Sequence, residues 1–103
     1  MRIECKVHGF ATGRELRQRC DRSLRLALGR LQTAIERVSV TLEDAPDARD
    51  AHCRVRARLC VGGDPVLGEA RDPDPLTAVD RAADRVRRGI RRRLELSREP
   101  RWD

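Results

Sequence analysis

Arginine is the residue type with the most binding chemistry to offer in this sequence. Between residues 81 and 93 (RAADRVRRGIRRR) seven arginines stand against one acid, Asp84. Set out on a helix at about 100° per residue, Arg81, Arg85, Arg88 and Arg92 fall on one stripe, with Arg91 beside it. At a rise of ~1.5 Å per residue the stripe runs about 16 Å. Asp84 and Arg88 make one favourable i,i+4 pair, whereas like charges at that spacing repel by a few tenths of a kcal/mol. A charged outer face is ordinarily just a solvated one. Here the surplus is larger than folding uses, so it predicts an anionic partner. Guanidinium groups match phosphate oxygens by their bidentate geometry. Phosphate binding by Arg81, Arg85, Arg88, Arg91 and Arg92 is therefore expected, helped by Arg22 and Arg25 of an earlier helix. Arg54, Arg56 and Arg58 form a separate basic row on a strand, of undecided role.

The other reactive side chains make a weaker case. The cysteines (Cys5, Cys20, Cys53, Cys60) contain no CxxC pair, and the default is reduced thiols in a cytoplasmic setting. Cys5-x2-His8 and His52-Cys53 look like pieces of a metal site. Strand alternation, however, sends the members of each pair to opposite faces, and zinc needs about four converging ligands. Cys5, Cys20 and Cys53 are expected as small buried groups, and His8 and His52 as solvent-facing strand residues. Hydroxyls are few: Thr12 is assigned to a helix cap, Ser23 is semi-buried, and Ser39 and Thr41 point outward. VGGD (61–64) is followed by no GK[ST] and opens no helix, so it is not a phosphate loop. No catalytic residue, metal or cofactor is expected, and the chain does not read as an enzyme.

Composition sets the frame. A chain of 103 residues with 39% apolar content is one globular domain, and with one Phe and one Trp its core must come from Leu, Val, Ile, Ala and Cys. The net charge of +6 favours polyanions. That 22 of the 23 basic residues are Arg can reflect base composition and carries little weight. Scarce aromatics disfavour readers that stack single-stranded bases, leaving backbone and shape recognition of folded RNA, with no DNA expected. No apolar run approaches ~20 residues and MRIECKVHGF alternates, so neither a membrane span nor a signal peptide is expected.

From the N-terminus, residues 2–8 alternate as a half-buried strand, with Ile3, Cys5 and Val7 inward. Thr12 and Glu15 have capping-box spacing and open a helix to about Leu31, its inner face carrying Leu16, Cys20, Leu24, Ala27, Leu28 and Leu31. Residues 36–43 form a strand with Val38, Val40 and Leu42 inward, and DAPDARDA (44–51) a loop. A third strand, 52–61, points Cys53, Val55, Ala57, Leu59 and Val61 inward. After a GGDP turn a short fourth strand covers about 66–71, where Gly68 suggests a bulge or an edge. The long closing helix spans Asp72–Leu96, capped by Asp74 with Pro75 in its first turn. Its inner stripe is Leu76, Val79, Ala83, Val86, Ile90 and Leu94. The expected fold is α+β, a β-α-β-β-β-α two-layer sandwich: a four-stranded mixed sheet with two helices packed on one face. Residues 1–98 form the domain and 99–103 a polar tail, in which Trp102 is expected to be loose.

The element order, the TxxELRQ helix start and the run GGDPVLGEARDPDPLTAVDRAADRVRR resemble the ribosome hibernation-promoting factor family, also described as ribosome-associated inhibitor or sigma-54 modulation proteins. The resemblance covers about residues 1–95 and is strongest from Gly62 to Arg92. Ala78-Val79-Asp80 stands at the family's helix signature, and Arg85, Arg88 and Arg92 stand where the family places basic residues. The departures are Pro75-Leu76 before that signature, Arg87 at an acidic position, Gly89 inside the helix, and Leu26 and Gly29 late in the first helix. The resemblance implies a protein that binds ribosomal RNA of the small ribosomal subunit in the mRNA/tRNA channel and inhibits translation during stress or stationary phase. Occlusion, not catalysis, is the implied mechanism. Longer relatives carry a C-terminal dimerisation domain; this chain looks like the short form, so a monomer is expected. The alternatives are a general structured-RNA module for tRNA or duplex RNA, or a diverged paralogue with an acidic protein partner.

Overall fold

The computed structural model describes residues 1–11, 13–45 and 49–98. Strand β1 (Arg2–His8) leads to helix α1 (Gly13–Leu28), which tightens into a 3-10 segment over Gly29–Ala34. Three strands follow, β2 (Ile35–Ala45), β3 (Asp50–Leu59) and β4 (Val66–Asp72), and then helix α2 (Pro75–Arg98). The sheet order is β1-β2-β3-β4, with β1 parallel to β2 and the other neighbours antiparallel. The helix between β1 and β2 makes the parallel pairing possible, while the short joins that follow give hairpins. Both helices lie on one face of the sheet, as the alternation of the strands requires.

That face is the core. Val38, Val40 and Leu42 of β2 and Cys53, Val55, Ala57 and Leu59 of β3 are buried against Cys20, Leu24 and Leu28 of α1. From α2 come Ala78, Val79, Ala82, Ala83, Val86 and Ile90. Ile3, Cys5 and Val7 are only half-buried, because β1 is an edge strand with one neighbour. Burial pushes the Cys53 thiol up to about 12. A hydrogen bond with Cys5, and then burial, raises Cys20 as well. Both behave as packed thiols.

Several expectations change in detail. Helix α1 ends at Leu28, not Leu31, where Gly29 offers little helix propensity and the chain turns more tightly. Val61 is not in β3: the strand stops at Leu59, and Val61 is 62% exposed in the turn. His52 does not face solvent freely. It lies on the outer face, but it is only 9% exposed, with Nε2 3.5 Å from Glu69 Oε2. Gly68 makes no bulge, since the β3–β4 register runs without a break from Ala51 opposite Asp72 to Ala57 opposite Val66. It is on an edge strand, as expected, and its function is close approach. A Cβ there would lie 2.6 Å from the Ala82 carbonyl oxygen and 2.7 Å from Val86 Cγ2. Gly89 likewise does not interrupt α2; a Cβ on it would lie 2.6 Å from Val66 Cγ1. The Thr12 cap and the tail with Trp102 lie outside the described residues.

The start of α2 follows its sequence signals. The Thr77 amide donates to Asp74 Oδ2 at 3.2 Å and the Thr77 hydroxyl donates to the same oxygen at 2.7 Å. The hydroxyl bond, with amides of the first turn, holds the Asp74 carboxyl below its ordinary value of 3.8. A depressed folded value means that the stabilisation is fully present above the unfolded value and lost as pH falls through the folded one. Asparagine would still accept these bonds but would not titrate. Thermal midpoints of D74N are therefore expected to fall less steeply than those of the parent as pH drops from neutral to below 3.8. Parallel curves would refute this assignment.

Candidate nucleic-acid interface

On α2 the buried residues fix which way the arginines point. With Val79, Val86 and Ile90 against the sheet, Arg81, Arg85, Arg88 and Arg92 stand exposed as a ridge. The flank of the helix that faces α1 carries Asp80, Asp84, Arg87 and Arg91. These four line an open groove of about 620 Å3 together with Ser23, Leu26, Ala27, Arg30 and Leu31. The groove exists because α1 and its 3-10 extension pack beside α2, and because small side chains, Ser23 and Ala27, line the α1 wall. Leu26, off the buried stripe of α1, is 79% exposed at its rim.

Partners divide the arginines into two sets. Asp84 is shared by Arg87 and Arg88, and these guanidinium groups, Arg87 first, hold its carboxyl below the ordinary range. Arg81 pairs with Asp72 at 3.6 Å. Arg85 donates to the backbone carbonyl of Glu69, and Arg93 to that of Asp64, which ties the helix to the β4 edge and to the turn before it. A carbonyl neutralises no charge, and each guanidinium has five N–H donors, so Arg85 keeps most of its capacity. Among the described residues Arg22, Arg30, Arg91 and Arg92 form no ion pair. The ridge is therefore only partly discharged, and these exposed pairs open easily to a stronger anion.

The residues expected to bind phosphate are not all brought together. Arg81, Arg85, Arg88, Arg91 and Arg92 share α2, and Arg22 lies exposed on the neighbouring helix. Arg25 is turned the other way, paired at 2.9 Å with Asp21, which lines a hollow with Ile3, Cys5 and Arg17 on the β1 side of α1. Two arginines escaped the sequence pattern, Arg30 and Arg87. Arg30 belongs to the 3-10 segment, whose geometry the helical pattern does not announce. Arg87 looked like a departure within α2 and is a wall of the groove. Arg54 pairs with Glu69 at 3.3 Å on the open face of the sheet, whereas Arg56 and Arg58 have no carboxylate partner among the described residues.

No group of three or more His, Cys, Asp or Glu side chains is placed to hold a metal among the described residues, and none of the helices there is long and apolar enough to cross a membrane. Cys5 faces inward while His8 is exposed on the other side of β1.

Comparison with known proteins gives a consistent result. Residues 3–97 match the family described as sigma 54 modulation protein / S30EA ribosomal protein. Among solved structures, the chain is similar to a ribosomal subunit interface protein from Coxiella burnetii, with a TM-score of 0.74 at 14% identity, over 92% of this chain and 99% of that one. It is also similar to the Protein Y N-terminal domain of Thermus thermophilus, with a TM-score of 0.69 at 25% identity, over 89% of this chain and 98% of that one. A comparison with curated proteins returned no match.

Proposed function

Because the chain belongs to the sigma 54 modulation protein / S30EA ribosomal protein family, we propose that it is a cytoplasmic, ribosome-associated inhibitor of translation. It binds ribosomal RNA of the small subunit, in the channel otherwise used by mRNA and tRNA, when cells are stressed or in stationary phase. It acts by occupancy, with no bond made or broken. The observation that carries this reading is the α2 ridge of Arg81, Arg85, Arg88 and Arg92, flanked by a groove with Arg30, Arg87 and Arg91. Arg22 extends the basic surface onto α1. A helix ridge lying across phosphates, with no stacking aromatic beside it among the described residues, reads the shape of folded RNA.

The test is a competition. Purified protein is offered small subunits, large subunits and a bulk RNA duplex at equal phosphate concentration, and the bound fractions are separated by sedimentation. Preference for small subunits is expected, together with co-sedimentation with ribosomes from starved cells. Equal partition between small subunits and duplex would replace this reading with that of a general structured-RNA module. Retention by a protein partner after nuclease treatment, with no ribosome bound, would overturn RNA recognition altogether.

A further inference from the structure

The open face of the sheet, turned away from both helices, holds a second charge surplus. Arg2 of β1 stands opposite Arg37 of β2, and Arg37 stands opposite Arg58 of β3. In the next row Glu4 of β1, Ser39 and Arg56 stand side by side, one acid among these arginines. With strands ~4.8 Å apart, the three arginines of the first row span about 10 Å. Arg37, Ser39, Arg56 and Arg58 line a hollow of about 200 Å3 with Pro65 of the following turn. Among the described residues none of Arg2, Arg37, Arg56 and Arg58 forms an ion pair. Toward the other end of the face Glu69 pairs with Arg54 at 3.3 Å and lies 3.5 Å from His52.

Nothing in the fold asks for that row. Like charges directly opposite each other destabilise a sheet. A bulge that keeps the core in phase brings those positions together. The register shifts between Ile35 and Arg37, so that Glu36 is an extra residue on β2 opposite the Leu59–Arg58 step. Without the bulge, alternation from buried Ile35 would send Arg37 into the core and Val38 out. With it, Ile35 and Val38 are both buried and Arg37 is exposed beside Arg58.

We propose that the Arg2–Arg37–Arg58 row, with Arg56 and Ser39, is a second phosphate-binding surface that takes the backbone of an RNA strand. The domain then holds two RNA segments, one on the α2 side and one on the open face of the sheet. Among the described residues no aromatic that could stack a base lines the hollow, and Leu67 (67% exposed) is a large apolar residue at its border. A row of guanidinium groups with a hydroxyl beside it suits successive phosphate oxygens and offers an apolar protein surface nothing to bury. The inference rests on the RNA-binding reading of α2 only in that it concerns the same class of ligand.

The experiment measures how many short A-form RNA duplexes bind per protein, by sedimentation velocity, at low salt. Three proteins are compared: the parent, the sheet variant R37Q/R56Q/R58Q, and the helix variant R81Q/R85Q/R88Q/R92Q. Two duplexes per parent and one per variant are expected. The salt slope of the sheet variant on small subunits should also fall by about 2.7, at about 0.9 for each of the three phosphates it no longer engages. A parent that binds one duplex, with a sheet variant indistinguishable from it, overturns the second surface and leaves the α2 reading intact. A helix variant that binds like the parent while the sheet variant loses a duplex does the reverse. A parent that binds no duplex overturns the second surface, while the α2 reading then stands or falls on the small-subunit competition. The sheet variant is expected to melt no lower than the parent, since it relieves repulsion.

Discussion

The helix variant R81Q/R85Q/R88Q/R92Q is expected to lose most of the affinity for the small ribosomal subunit, and most of its salt dependence with it. A protein that engages six to ten phosphates loses about three to five decades of affinity between 50 and 200 mM salt. Removing four of those interactions lowers the slope by about 3.6, so that over the same range the variant loses roughly two decades fewer than the parent. Glutamine is shorter than arginine but polar, and has a similar helix propensity, so the fold is expected to stand. The interactions given up are an ion pair from Arg81 to the half-buried Asp72, one from Arg88 to the half-buried Asp84, and the exposed bond from Arg85 to the Glu69 carbonyl. Equilibrium binding across the salt range is the measurement. Equal slopes for parent and variant would mean that the ridge touches no phosphate. A steep parent slope with affinity lost in the variant at every salt would support it.

The largest effect on stability is expected from Gly68→Ala. Its Cβ would sit 2.6 Å from the Ala82 carbonyl oxygen, which is backbone, and 3.1 Å from the Val86 amide nitrogen. Neither can rotate away as a flexible side chain would. The helix must lift from β4, reopening the packing of Val79, Val86 and Ile90, all fully buried. Overpacking of this kind costs about 1–3 kcal/mol. For a domain of this size each kcal/mol is worth about 4–8 °C in midpoint. Differential scanning calorimetry of the variant should therefore show a drop of roughly 5–20 °C. A midpoint within experimental scatter of the parent would show that the seam between helix and strand is slack.

These two positions also mark what the sequence discloses. The arginine ridge was legible because α2 is long, its apolar residues recur at three and four, and Asp74 and Pro75 mark its start. The sheet was legible for the same reason, since alternation in β2 and β3 separates a buried face from an open one. Gly68 was not, because a residue without a side chain leaves no trace of what presses on it. The groove residue Arg30 was hidden by the change from α-helix to 3-10 geometry at Gly29. The Arg2–Arg37–Arg58 row was hidden more deeply. It joins residues from three strands, and only the register, including the bulge at Glu36, places them side by side. The pairing of His52 with Glu69 has the same origin: each residue looked like one more polar position on its own strand.

The reciprocal seat of α2 on β4, with Gly68 receiving the helix and Gly89 receiving Val66, has a mechanical side. A helix seated at two separate points can neither roll about its axis nor slide along the strand without a clash at one of them. The angular phase of its cationic crest is thus indexed to the pleat beneath, and wobble is suppressed where pliable aliphatic packing would allow it. Any load applied to that crest passes straight to the sheet, so both sides of the molecule must turn as one piece.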